Sequence, residues 1–293
     1  VRHQFYKHKR MTMKIFITAI LVNIIFLVSG QNGNTEYYRL MRMAKKYELQ
    51  NKLDSSLICY KDGFSKVDFI HEKYLISAIK LSKKLKQKDL ENKLSFKYSN
   101  QKDSINKVYA NEIELLIKTD QENRCKNNLK VQKKYKECVQ KGNCSQEELG
   151  KYKLILSKWH YLDSINIEKL LFLIKAKGFP SEKLVGQVAS EHAIILMIHF
   201  DTDTNNYILK PILDEALRKG DILPNNYAWI IDRRLVNSGK APYYYKIPYG
   251  IENLTKDKKI EVDQRREKIG LGKLSETQIV VKKKNYYKVK YNE

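Results

Sequence analysis

Apolar residues recur at three- and four-residue spacing through the middle of this chain, and that period admits little but α-helix. From Ser104 the stripe runs through Ile105, Val108, Ile113, Leu116 and Ile117, and the spacing predicts one helix reaching about Lys141. Gly142 ends it. Ser145 with Glu148 forms a capping box for the next helix, which carries Leu149, Leu154, Trp159, Leu162, Leu170 and Ile174 toward Gly178-Phe179-Pro180. Ser181 opens a further helix through Val188 to Phe200, and helical patterns follow over 206–219, 225–235 and 261–268, with Pro211 in the first of these kinking it or defining its first turn. Residues 241–249 turn aromatic and extended, and 277–291 read as a strand-like or loose tail. Only 5 Pro and 12 Gly occur in 293 residues, with 42% hydrophobic and 30% charged, which excludes collagen-like and low-complexity disordered chains.

Residues 35–100 read as paired short helices. Leu40, Met43, Ala44 and Tyr47 share one face, Leu57, Tyr60 and Phe64 the next; Tyr74, Ala78 and Leu81 lie on a third helix and Leu90 and Leu94 on a fourth. The 34 residues from Ala44 to Ala78, with small residues at Ala44, Ser56 and Gly63, resemble tetratricopeptide repeats, an ordinary pair of helical hairpins being the alternative. The expected fold is therefore mostly α, with tetratricopeptide-like hairpins over 31–103, then a long helical hairpin and a compact helical domain with little β over 104–293.

Met13-Lys14, the apolar run Ile15–Val28 and Ser29-Gly30 have the order of a secretory signal peptide, so residues 1–30 are read as an address, with Met11 or Met13 as the start and 1–10 ahead of it. The run is short for a membrane span, which takes about 20 residues. The expectation is an exported chain, periplasmic or extracellular in a bacterium, with no span left once the signal is removed. The formal charge is +23, and residues 31–160 hold 28 basic against 16 acidic groups while 161–250 hold 11 against 10. Lys outnumbers Arg 46 to 10 and is not interleaved with stacking aromatics, which argues against nucleic acid and for an envelope protein or an anionic small molecule or polymer as partner. In such a composition an Arg marks a place where a planar, bidentate donor is needed; Arg124, Arg233 and one of Arg265 and Arg266 are the candidates.

The inward rows of these helices turn polar. The stripe Ile105, Tyr109, Ile113, Leu116 continues to Asp120 and Arg124, an i,i+4 pair. Asp163 and Asn166 lie on the row leading to Leu170, His192 and His199 share a face with Asp201 just beyond, Asp232-Arg233 closes one helix, and Arg265-Arg266 lies on the last. Such sets aimed at one core predict a polar pocket. In these residues the chain is similar to a bacterial family known only as a domain of unknown function. That family's pattern places Asp-Gln-x-x-Arg on one helix and Asp-x-x-Asn on the next, then a Gly-Trp-Pro, a His-x-Asp, an Asp-Arg and a closing Arg-Arg-x-x-x-Gly-Leu. Asp120-Gln121 with Arg124, Asp163 with Asn166, Gly178-Phe179-Pro180, His199 with Asp201, Asp232-Arg233 and Arg265-Arg266 before Gly270-Leu271 follow the order over about 105–272. Ile198 and Tyr244-Tyr245-Lys246-Ile247 depart from it where the family carries Gln. The resemblance implies a fold unit and no chemistry.

The ligand-binding candidates are thus Asp120, Gln121, Arg124, Asp163, Asn166, His192, Asp232, Arg233 and Arg265, with His199 and Asp201 as candidates for catalysis. A non-enzymatic binding or scaffold protein of the envelope fits paired carboxylates with no activated nucleophile. The alternative is a hydrolase with His199 as general base, Asp201 orienting it and Arg233 or Arg265 holding an anionic group. No cofactor is implied. His192 and His199 are seven residues apart, about 10 Å along a helix and too far to share a metal, and the Asp201-x-Asp203 start of a calcium loop lacks Gly at the sixth position and Glu at the twelfth. Of Cys59, Cys125, Cys138 and Cys144, the second and third are too far apart to pair on one continuous helix, whereas Cys138 and Cys144 can meet across the Gly142 turn and are expected to pair, with four free thiols the competing outcome; Cys59 is expected buried and reduced.

Overall fold

The computed structural model describes residues 33–200, 207–247 and 251–274. The proposed signal segment, Asp201 and the 277–291 tail lie outside them. The chain is mostly α: helix α1 covers 33–49, followed by α2 (Leu53–Phe64), α3 (Glu72–Lys84), α4 (Lys88–Asp103), α5 (Lys107–Asn123), α6 (Lys126–Lys141), α7 (Gln146–Lys177), α8 (Glu182–His199), α9 (Leu209–Lys219), α10 (Pro224–Asn237) and α11 (Lys256–Lys268). No strand occurs among the described residues; of 241–249, expected to be extended, the described part 241–247 is loop and bends. No described helix is long and apolar enough to cross a membrane.

Two apolar cores divide the helices. Tyr37, Met41, Ala44, Tyr60, Leu75 and Ala78 centre the first, formed by α1–α4; Ile113, Leu170, Ala193, Met197, Leu213 and Ala228 centre the second, formed by α5 and α7–α10. Small residues set the spacing in the first core. Gly63 lies where an added Cβ would press on Met41 and stand 3.3 Å from Leu40 Cβ. The buried Ser56 hydroxyl donates to the Ala44 carbonyl at 2.9 Å.

The predicted helix from Ser104 to Lys141 is in fact two. α5 stops at Asn123, Arg124 leaves helical geometry (φ −94°, ψ 33°), and Cys125 is extended (φ −60°, ψ 160°) before α6 begins. Side chains absorb the freed backbone groups: Trp159 Nε1 donates to the Asn123 carbonyl at 2.8 Å and Asn128 Nδ2 to the same oxygen at 2.7 Å. Two members of the predicted apolar stripes, Val108 and Leu154, face solvent at 68% and 74% exposure.

α5 and α8 run parallel, with Asn106 N donating to the Leu184 carbonyl, His192 meeting Glu114 and His199 meeting Asp120. α7 runs antiparallel to α5, pairing Gly178 with Tyr109 at one end and Asp163 with Arg124 at the other. α6 and the first half of α7 form a hairpin arm off this three-helix layer. Gly142 in the left-handed conformation (φ 67°) turns the chain, and the Ser145–Glu148 capping box starts α7. Cys138 and Cys144, with Cα atoms 4.8 Å apart, are joined by a disulfide; Cys59 is buried with a free thiol that burial pushes up in pKa. Removing the disulfide with Cys138→Ser and Cys144→Ser should cost about 2 kcal/mol, the loop being short. Urea unfolding with and without reductant checks this; identical midpoints would contradict it.

Candidate functional site

Asp120 is fully buried on the last turn of α5, and Asp163 is 5% exposed near the middle of α7. Arg124 bridges them, because the end of α5 frees it to turn back. One terminal nitrogen donates to Asp120 Oδ1, while the other reaches Asp163 Oδ1 at 2.7 Å and Oδ2 at 2.8 Å. Had the helix continued, Arg124 would have stayed on the Asp120 row alone. Its guanidinium also lies over the Trp159 ring at 5.4 Å. His199, the last residue of α8, brings Nδ1 to 3.1 Å from Asp120 Oδ1, and Gln121 Nε2 donates to Asp120 Oδ2 at 2.6 Å. The result is a junction of two carboxylates, one guanidinium and one imidazole, where the ends of α5 and α8 meet the middle of α7.

Burial raises the pKa of both carboxyls, and their partners decide the outcome. For Asp120 the His199 hydrogen bond and charge, Arg124 and Gln121 outweigh burial and hold the carboxyl below the usual range. For Asp163 burial prevails over Arg124 and holds it above. The stability Asp120 contributes is therefore full above the ordinary carboxylate range and is lost as pH falls through its lowered value; Asp163 has the opposite sign, its contribution being lost as pH rises through its raised value. The stability gap between the natural chain and Asp120→Asn should narrow as pH falls below the ordinary carboxylate range. Urea midpoints over a pH series measure it, and a gap independent of pH would contradict the assignment.

Asn166 lies one turn beyond Asp163 on the same buried face of α7, and the antiparallel pairing sets it level with Asp120. It is 3% exposed and, among the described residues, neither its Nδ2 nor Nε of Arg265 has a hydrogen-bond partner. These are unspent donors at two of the residues singled out from the sequence. Ligand atoms of Asp120, Asp163 and His199 fall within 4.8 Å of one another, a spread that suits a cation; Arg124 holds both carboxylates there.

The expected single pocket is not formed by all the candidates. Asp120, Gln121, Arg124, Asp163, Asn166 and His199 come together. His192 is two turns back along α8 and pairs with Glu114 at 2.7 Å on a half-exposed surface. Asp232 is fully buried but serves the backbone: its Oδ1 accepts from Tyr243 N and Tyr244 N at 2.8 Å each, and its Oδ2 from Lys246 N at 2.6 Å. Arg233 is exposed, one helical step round from Asp232 and so on the outer face of α10, not in a buried role. Arg266, not Arg265, is the buried member of its pair, donating to the carbonyls of Gly272 and Tyr244 at 2.7 Å each; Arg265 lies over the Tyr243 ring at 4.3 Å. These residues gather about the 243–246 segment and fix it to α10 and α11.

A polar cluster that the sequence did not suggest joins the two cores. His71, 4% exposed, brings Nδ1 to 2.7 Å from Glu182 Oε2 at the start of α8 and its Nε2 to 3.1 Å from the Tyr38 hydroxyl, and Glu182 also accepts from Glu72 N. Beside it a cavity of about 340 Å³ is lined by Lys66, Asp68, Lys183, Lys219 and Asp221. His71 and Glu182 are 111 residues apart, and no local pattern links them.

No family model matches the chain, and no curated protein and no solved structure matches it either.

Proposed function

We propose that this is an exported cell-envelope protein of the binding or scaffold type, not an enzyme, and that its buried Asp120–Arg124–Asp163–His199 centre clasps the root of the hairpin arm. The observation that carries this is the internal use of the carboxylates: Asp120 is engaged by Arg124, Gln121 and His199, and Asp163 by both bonds of Arg124. Carboxylates so tied are not offered to a substrate. The Cys138–Cys144 pairing supports an oxidising compartment, as does the signal-like segment Ile15–Val28. The resemblance to the domain of unknown function over 105–272 and the repeat-like reading of α1–α4 belong to this proposal too. Intact mass of the protein recovered from its host should place the first residue within a few positions of Gln31; a chain retaining Ile15–Val28 and free thiols at Cys138 and Cys144 would overturn the export reading.

A second reading is favoured by one contact. With Nδ1 held by Asp120, His199 presents Nε2 away from its partner, the arrangement of an oriented general base, and Asp120 takes the orienting role that the sequence suggested for Asp201. Hydrolysis of an anionic ester that is lost in His199→Ala and retained in His192→Ala would establish this reading in place of the first.

A further inference from the structure

We infer that the outer face of α6, whose donors are Lys ammonium groups with no Arg among them, is a docking strip for a flexible polymer of phosphate groups. This rests on the reading of the chain as an exported binding protein only for where the polymer is met; the strip itself is argued from the arm.

The arm is not built to stabilise its own fold. Between residues 126 and 158 Cys138 is the one side chain described as buried. Yet it is stiffened throughout: by the disulfide and capping box at its tip, by the stack of Tyr135 on Tyr152 with ring centres 3.8 Å apart, and by Arg124, Trp159 and Asn128 at its root. A rigid element with so little interior presents a surface.

That surface carries a strong excess of positive charge. Residues 126–158 contain nine Lys, no Arg and three Glu, whereas 161–250 hold 11 basic against 10 acidic groups. Lys130, Lys133, Lys134, Lys136 and Lys141 are all exposed on α6, away from the Tyr135 side that meets α7. They recur at about one per helical turn of about 5.4 Å, interrupted by Glu137, whose carboxylate is 3.9 Å from Lys133 Nζ. A single exposed Lys contributes little, but a row of them releases counterions from a chain of fixed charges, so binding is collective and salt-dependent.

The same surface argues against two other polyanions. Leu154, two residues from Tyr152, points away from α6, and the exposed apolar residues of α6, Leu129 and Val139, stand ten residues apart, so the arm offers no continuous apolar strip to enter a bilayer. Tyr135 and Tyr152 are spent on each other and are not free to stack on bases.

Fluorescence anisotropy of the full chain with labelled linear polyphosphate, compared with polyglutamate of matched length, tests the inference. Binding should weaken by about tenfold or more between low and physiological salt, and the triple change Lys130→Glu, Lys133→Glu and Lys134→Glu should weaken it by at least about tenfold at low salt. The same charge change placed on α3 by Lys80→Glu, Lys83→Glu and Lys84→Glu, three exposed positions, should leave affinity within about twofold. Equal losses in the two triples, no binding of polyphosphate, or tighter binding of polyglutamate than of polyphosphate, would overturn the docking strip. So would tighter arm-dependent binding to single-stranded DNA or to phosphatidylglycerol vesicles. Failure of the export reading is scored separately, by the mass of the amino terminus.

Discussion

Replacing Arg124 with alanine is expected to cost about 3–5 kcal/mol of stability, the range for leaving buried charge without its partner. Two carboxylates are affected, one fully buried and one 5% exposed, and the Arg124 side chain itself is only 13% exposed. Arg124→Lys should recover a minor part, because an ammonium supplies a point charge and cannot give the paired bonds to Asp163 together with the bond to Asp120. The loss should be local first. Amide exchange ought to rise at the α5–α6 junction and around Asp163, while the Ala193–Met197 turn of α8 keeps its protection. Urea unfolding followed by circular dichroism gives the magnitude; a loss under about 1 kcal/mol would mean that the guanidinium is not holding the junction.

Asp232→Ala should be comparably damaging for a different reason. The two oxygens of Asp232 collect backbone N–H groups from Tyr243, Tyr244 and Lys246. Burial nevertheless holds its carboxyl above the usual range, the backbone donors only partly offsetting it. Truncation strands three donors, each costing about 1–3 kcal/mol when left unmade, so about 3–4 kcal/mol is expected for a segment that is partly open to water. Asp232→Asn should lose less, keeping one acceptor oxygen. Because Tyr244 O in turn accepts from Arg266, loosening this segment should also free α11, and fast exchange over 256–268 is the specific sign. Undisturbed protection there would show that Arg266 holds the segment without Asp232.

Most of the helical plan was legible because its signals are local. The period of three and four, Gly142, the Ser145–Glu148 box and the proximity of Cys138 to Cys144 each act within a few residues. The break at Arg124 was not legible, since no Gly or Pro marks it; Trp159 and Asn128 hold the ends apart, and Trp159 comes from 36 residues away. Half of the candidate site was legible for the same reason. Asp120 with Arg124, and Asp163 with Asn166, share faces of single helices, but whether separate polar rows meet is a matter of packing. Asp232 and Arg266 have the same inward polar pattern as Asp120 and Arg124 and serve the 243–246 backbone instead. The exposure of Arg233 was within reach of the sequence, because a residue adjacent to an inward Asp on a helix stands about 100° away. The His71–Glu182 contact was out of reach, both residues being ordinary members of helix starts until the two cores meet.

The central claim is that Arg124 and Asp163 act as one unit across the root of the arm, and a double-mutant cycle measures that unit directly. Stabilities of the natural chain, Arg124→Ala, Asp163→Asn and the double variant should give a coupling of about 2 kcal/mol or more, the second change costing little once the first is made. Costs that add to within about 0.5 kcal/mol would contradict it, and the buried centre would then be two independent polar sites with no clasp between them.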